Sequence, residues 1–113
     1  MDQDQRGAAQ PGDQPGTDDV TVRYDAGRER YEVVTGGETA GFAQVREADG
    51  RMTFFHTEVD GAYEGQGLGT TLVRGALKDA TGRGLRVVPL CPFVAAYLRR
   101  HHEFDAHVDW PEA

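Results

Sequence analysis

The run Glu64-Gly65-Gln66-Gly67-Leu68-Gly69-Thr70 is the stretch of this 113-residue chain whose residue types and spacing point most directly to chemistry. Glycines let several backbone N–H groups converge on one point, with no side chain in the way of a ligand. Directly after the loop, apolar residues recur at helical spacing, so the loop opens into a helix N-terminus. Unpaired N–H groups and the helix dipole favour an anion there. The chemistry this suits is a phosphate or pyrophosphate cradle. Two nucleotide motifs fail on detail. The dinucleotide fingerprint needs two residues between its second and third glycines, and only Leu68 separates Gly67 from Gly69. The P-loop needs Gly-Lys-Ser/Thr, and the only lysine, Lys78, lies well down the helix. The plain structural alternative is a turn whose glycines serve close packing.

The elements that must position this loop are legible from periodicity. Val20 and Val22 alternate with polar neighbours up to Tyr24, which predicts a strand. Asp25-Ala26-Gly27 turns the chain, and Glu29 to Thr35 reads as a second strand. Gly36-Gly37-Glu38 precedes a third, about 40–47, marked by Phe42 and Val45. Ala48-Asp49-Gly50 is a hairpin signal before a fourth strand, Met52 to Val59. Four strands joined by short turns imply an antiparallel meander. Leu68, Leu72, Val73, Ala76, Leu77 and Ala80 then share one helical face, with Gly82 as the expected stop. Leu85 to Val88 is a fifth strand, ended or splayed by Pro89, which cannot donate to a ladder. Pro92 suits the first turn of a second helix with Phe93, Val94, Tyr97 and Leu98 on its apolar face. Val108 and Trp110 are candidates to pack back onto the body. The expected fold class is α+β: a twisted, mostly antiparallel sheet of about five strands with two helices.

Composition narrows the function. The chain is 12.4 kDa with mean hydropathy −0.60 and net charge −7. Residues 1–19 hold no Val, Ile, Leu, Phe, Tyr or Trp. Five aspartates against Arg6 give them −4, leaving −3 for the rest. Such a segment cannot offset its ordering entropy by burial. The expectation is a disordered acidic tail, 1–19, and one domain, 20–113. An acidic balance disfavours nucleic acid. No run approaches the ~18 apolar residues of a membrane span. No basic stretch followed by an apolar one stands at the start, so no secretory leader is expected, and one cysteine excludes an internal disulfide. The simplest expected compartment is the cytoplasm. His101 and His102 are adjacent on a helix and point about 100° apart, so they do not chelate together. They read as solvated, and no metal is expected.

Meander, Glu64-Gly65-Gln66-Gly67-Leu68-Gly69 loop, helix, fifth strand and helix together resemble the GNAT superfamily of acyl-CoA N-acyltransferases. Gly67 and Gly69 match the two glycines of that family's Gln/Arg-x-x-Gly-x-Gly/Ala motif, while Glu64 stands where the family prefers Gln or Arg. A narrower likeness rests on His56-Thr57-Glu58-Val59, on Val88-Pro89-Leu90-Cys91-Pro92-Phe93-Val94, and on Tyr97 and His101. It is to minimal, single-domain acetyltransferase-like members with a Cys-Pro-Phe-Val segment after strand five, and it covers roughly residues 20–105.

The resemblance implies coenzyme A as co-substrate. Its pyrophosphate would lie on the amides of Glu64, Gly65, Gln66, Gly67, Leu68, Gly69 and Thr70. Its pantetheine arm would run between strands four and five, past Pro89 and Cys91, with strand-four backbone from Thr57 to Val59 facing the thioester. Glu64 removes a donor or positive charge beside the pyrophosphate. The implied activity is transfer of an acetyl group from acetyl-CoA to an amine. That reaction needs a base for the amine, an acid for the thiolate and donors aimed at the thioester oxygen. His56 and Glu58 share one strand face and are candidate bases. Tyr97 sits where the family often carries the tyrosine that protonates the sulfur. Cys91, expected at a helix N-cap, is either an acetyl-carrying nucleophile or part of the cleft lining. Direct transfer is the expected route. Typical members carry two helices between strands one and two, and the tight turn from Tyr24 to Glu29 leaves no room for them. The acceptor side should therefore be open. It suits an amine projecting from a protein or peptide, with the chain acting as a monomer or a homodimer. The rival reading is a coenzyme A-binding sensor or adaptor without efficient catalysis.

Overall fold

A computed structural model describes residues 20–111; the reading of residues 1–19 as a disordered tail lies outside the described residues. The strands are β1 (Thr21–Asp25), β2 (Arg30–Thr35), β3 (Glu38–Ala48), β4 (Arg51–Val59) and β5 (Arg86–Pro89). The helices are α1 (Leu68–Gly82) and α2 (Pro92–Arg100), with short 3₁₀ turns at Gly61–Tyr63 and His102–His107. The strands lie in chain order in one sheet. The first four pair antiparallel, and β5, reached through α1, pairs parallel with β4. This is the expected α+β architecture.

Both helices cover one face of the sheet. The six apolar residues of α1 are all buried, against Tyr31, Val33, Val45, Met52, Phe54 and Val87 of the strands. Tyr31 Oη donates to Asp79 Oδ2 at 2.6 Å and ties β2 to α1. The helix stop differs from the expected one. Gly82 is still helical, and the chain turns at Gly84, φ +82°. Gly84 N–H donates to Thr81 O and Leu85 N–H to Ala80 O, both at 3.0 Å, which is a Schellman motif. The left-handed residue decides which glycine ends the helix, and apolar periodicity does not register it.

A register shift in the β3–β4 pairing falls between Gln44–His56 and Val45–Phe54 and leaves Phe55 as the extra residue. Before it, Phe54 points into the core. After it, the side chains of Thr57 and Val59 point to the helix side and those of His56 and Glu58 to the other face. The shift also re-aims the backbone. Asp60 N–H donates to Ala40 O across β3. By alternation His56 and Glu58 also face β3, while Thr57 and Val59 turn their N–H and C=O toward β5.

Candidate functional site

β5 does not follow β4 to its end. Arg86 N–H donates to Gly50 O, so alternation turns Val88 toward β4 and Pro89 away from it. The missing N–H of Pro89 therefore lies on the outer edge, and the ladder is not broken there as the sequence suggested. It continues to Cys91, whose N–H reaches Phe54 O at 2.8 Å. Beyond that bond the chain turns into α2, and the edge of β4 from Thr57 to Val59 is left without β5. Pro89 itself is buried at the end of β5.

The glycine loop lies beside this opening. Asp60 accepts from Ala62 N–H at 2.9 Å, and Tyr63 Oη donates to Glu38 at 2.9 Å, so the turn before the loop is fixed to β3. That bond to Glu38, with some burial, raises the Tyr63 phenol above its ordinary pKa. Gly67 is the N-cap of α1, left-handed at φ +73°, and no side chain caps the helix. The N–H groups of Leu68, Gly69 and Thr70 belong to the first turn, which has no intrahelical acceptor for them; Thr71 N–H already returns to Gly67 O. A cleft of about 280 Å³ opens there, lined by Val59, Tyr63, Glu64, Gly65, Leu68 and Phe93 together with Gly67, Gly69 and Thr70.

The predicted residues divide into three places. Of the cofactor candidates, Val59, Glu64, Gly65, Gly67, Leu68, Gly69 and Thr70 line the cleft; Gln66 does not. Thr57 and Cys91 meet across the splay, with Oγ1 and Sγ 3.4 Å apart. Cys91 is the N-cap of α2, its side chain makes no capping bond, and the residue is 3% exposed. Tyr97 is buried, with Arg74 Nε donating to its hydroxyl at 3.4 Å. Its ring stacks on His101 at 4.0 Å, so His101 packs on an aromatic side chain, contrary to the solvated reading. His102 is exposed and paired with Asp105. The third place is the opposite face of the sheet, where His56 Nε2 lies 3.8 Å from Glu58 Oε2.

That face carries features the sequence reading missed. Glu32 is buried, although neither α1 nor α2 covers its side of the sheet. Arg23 holds Oε1 at 2.9–3.0 Å, Arg30 holds Oε2 at 2.7–2.8 Å, and Arg28 lies at 3.8 Å. Burial pushes the carboxyl pKa up, but the hydrogen bonds from Arg30 and Arg23 outweigh it and hold it below the ordinary range. Arg30 also stands over the Phe42 ring at 4.9 Å, and Phe42 meets His56 edge-on at 6.3 Å. A second cavity, about 170 Å³, is lined by Thr39, Ala40, Gly41, Phe42, Glu58 and Asp60. On the cleft side the missed residue is Phe93. It was expected on the core face of α2, yet it is 44% exposed and flanks Gly69.

A meander that gains one parallel strand, parts beside it and sets a glycine-lined helix N-terminus at the parting has the architecture of the GNAT fold. Residues 30–108, well over half of the chain, match the family described as GCN5-related N-acetyl-transferase, and the chain belongs to that family. A GCN5-like protein from Staphylococcus aureus, solved by NMR, shares the fold with a TM-score of 0.61 at 17% identity, over 83% of this chain and 92% of that one. The crystal structure of the ribosomal-protein-S18-alanine N-acetyltransferase from Escherichia coli is 27% identical over 51% of this chain, with a TM-score of 0.48. The matched part spans 38% of that enzyme's length. No curated protein matches the chain in sequence. Among the described residues, no helix is long and apolar enough to cross a membrane.

Proposed function

We propose that the chain binds acetyl-CoA and transfers its acetyl group directly to an amine. The observation that carries this is the uncapped N-terminus of α1, set in a glycine-lined cleft against the unpartnered edge of β4. The pyrophosphate lies on the amides of Leu68, Gly69 and Thr70, where charge and free donors coincide. The pantetheine arm passes Val59 and Phe93 toward Cys91. Thr57 and Val59 aim backbone N–H groups at the thioester oxygen, a preorganised donor set for the charge that develops there.

The amine arrives from the Glu58 side. Its nitrogen bonds to the thioester carbon, its proton passes to Glu58 or His56, and the C–S bond breaks. Tyr97 supplies the proton to the sulfur; its hydroxyl accepts from Arg74, so that bond leaves the phenol proton unspent. Direct transfer is supported over a covalent route because the neighbour of Cys91 is the Thr57 hydroxyl. His56, the base such a route needs, is on the other face of β4.

Gly67→Val is a poor probe of the loop, since a valine at φ +73° strains the backbone whether or not ligand binds. Gly69→Ala is cleaner. Its methyl would stand 3.1 Å from Phe93 Cζ, an exposed ring that can shift, and inside the cleft. Calorimetry is expected to show coenzyme A affinity reduced about tenfold or more with the thermal midpoint unchanged. Unchanged affinity in the folded variant would remove the pyrophosphate assignment.

A further inference from the structure

The face of the sheet opposite the helices is polarised. At one end, the cavity beside Phe42 is walled by the carboxylates of Glu58 and Asp60. Toward the other lie Arg23, Arg28 and Arg30, gathered on β1, β2 and the turn between them. Their partner Glu32 is buried, but the side chains of Arg23 and Arg28 are 62% and 68% exposed, and that of Arg30 is 26% exposed. Asp25 stands 3.8 Å from Arg28. Glu29, in the same turn, pairs with Arg46 at 3.9 Å, and with that pair included four arginines stand against Asp25, Glu29 and the buried Glu32. The register sets the spacing. Glu32 pairs with Phe42 and Phe42 with Glu58, so the backbone of the residue that gathers the arginines lies two strand spacings, about 10 Å, from that of Glu58, while Arg23 starts one strand further out and reaches back to Glu32.

Resting on the acetyl-transfer reading above, we infer that the acceptor is the N-terminus of an acidic peptide segment: an amine seated at Glu58 and Asp60, with a carboxylate side chain reaching the arginines. A lone amine or a polyamine would use only one end of this surface. A basic peptide would bring like charge against Arg23 and Arg28. In an extended peptide each residue advances about 3.3 Å, so the side chain of the second or third residue reaches the arginine end. Phe42 lies between the two seats with the Arg30 guanidinium over its ring, and the stacked pair forms the floor over which the peptide backbone passes. Exposed charge pairs of this kind are worth little singly and are screened by salt, so the preference should be clearest at low ionic strength.

The test uses short synthetic peptides with a free N-terminal alanine followed by two acidic, two neutral or two basic residues. Binding to the full chain with coenzyme A present is read by fluorescence anisotropy, and acetyl transfer from acetyl-CoA by mass spectrometry. The acidic peptide should bind about tenfold tighter than the basic one at low salt. Arg28→Gln, whose contact with Glu32 is the loosest of the three, should lower acidic-peptide affinity about threefold and leave the neutral peptide unchanged. If Arg28→Gln loses its fold, the wild type supplies a second measurement: its preference for the acidic peptide should fade as salt is raised, and a preference unchanged by salt overturns the inference. Equal binding of the three peptides, or preference for the basic one, overturns the inference. So does transfer to the neutral peptide that exceeds transfer to the acidic one. Coenzyme A affinity, measured separately by calorimetry, reports on the cofactor reading, so the two can fail independently.

Discussion

On the helix side of the sheet, burial is achieved by layers. Leu72, Val73 and Leu77 of α1 lie on Tyr31, Met52 and Phe54, with apolar atoms on both sides. On the opposite side no described element is layered over the strands, yet Glu32 is as inaccessible as Phe54. There the cover is made by long side chains of the sheet itself: Arg23 from the neighbouring strand, Arg30 two residues along, Arg28 from the turn. The guanidinium heads of Arg23 and Arg30 cap the carboxylate at hydrogen-bond distance and shut water out from it, while Arg23 and Arg28 keep most of their own side chains exposed. The two faces thus reach the same burial by different physics. One depends on packing volume, the other on a carboxylate that must remain charged to keep its lid in place.

The sharpest way to break the comparison is to remove volume from the layered side. Phe54 is fully buried and its ring is stacked 6.1 Å from Tyr31. Phe54→Ala should cost about 3–5 kcal/mol in denaturant unfolding, with no dependence on acid. A smaller but pH-dependent loss is expected from Glu32→Gln. Because the native carboxyl pKa is held below its ordinary 4.5, Glu32 contributes stability above that value and loses it as pH falls through the native pKa. The wild type should therefore exceed the variant at neutral pH, with the gap closing in acid. A gap that stays constant into acid would show that the arginine lid does not depend on the charge. Cys91→Ala should give the smallest effect. The thiol is buried against Thr57, so a modest loss of packing and of rate is expected under direct transfer. Near-complete loss of activity, with an acetyl adduct on Cys91 of the wild type that forms without acceptor and is discharged by amine at the turnover rate, would reverse that preference.

The layered face was the legible one. All six α1 residues chosen from helical spacing are buried, because a helix that packs on a sheet must present one continuous stripe. The glycine loop was legible for a similar reason: it is a local backbone device, written in consecutive residues. Glu32 was not. Between Tyr31 and Val33 it reads as the outward member of an alternating strand, and its burial depends on which arginines the register of β1 brings opposite. Phe93 was missed because it turns from the core face toward Gly69, a contact between two elements. Phe55 stands as the extra residue of a bulge, and no alternation pattern marks which residue a bulge will isolate.

The segment after α2 has one more consequence. Val108 forms a parallel bridge with Val87, and Asp109 N–H donates to Val87 O at 2.8 Å, on the side of β5 away from β4. Asp109 also holds Arg86 at 2.6 Å and Arg51 at 3.3 Å. An open sheet border of this kind is a template for strands of other molecules. Here a few residues of the same chain occupy it, fastened by two ion pairs. The outer border of β5 is thus occupied by the chain's own segment, while the edge of β4 from Thr57 to Val59 is left without β5.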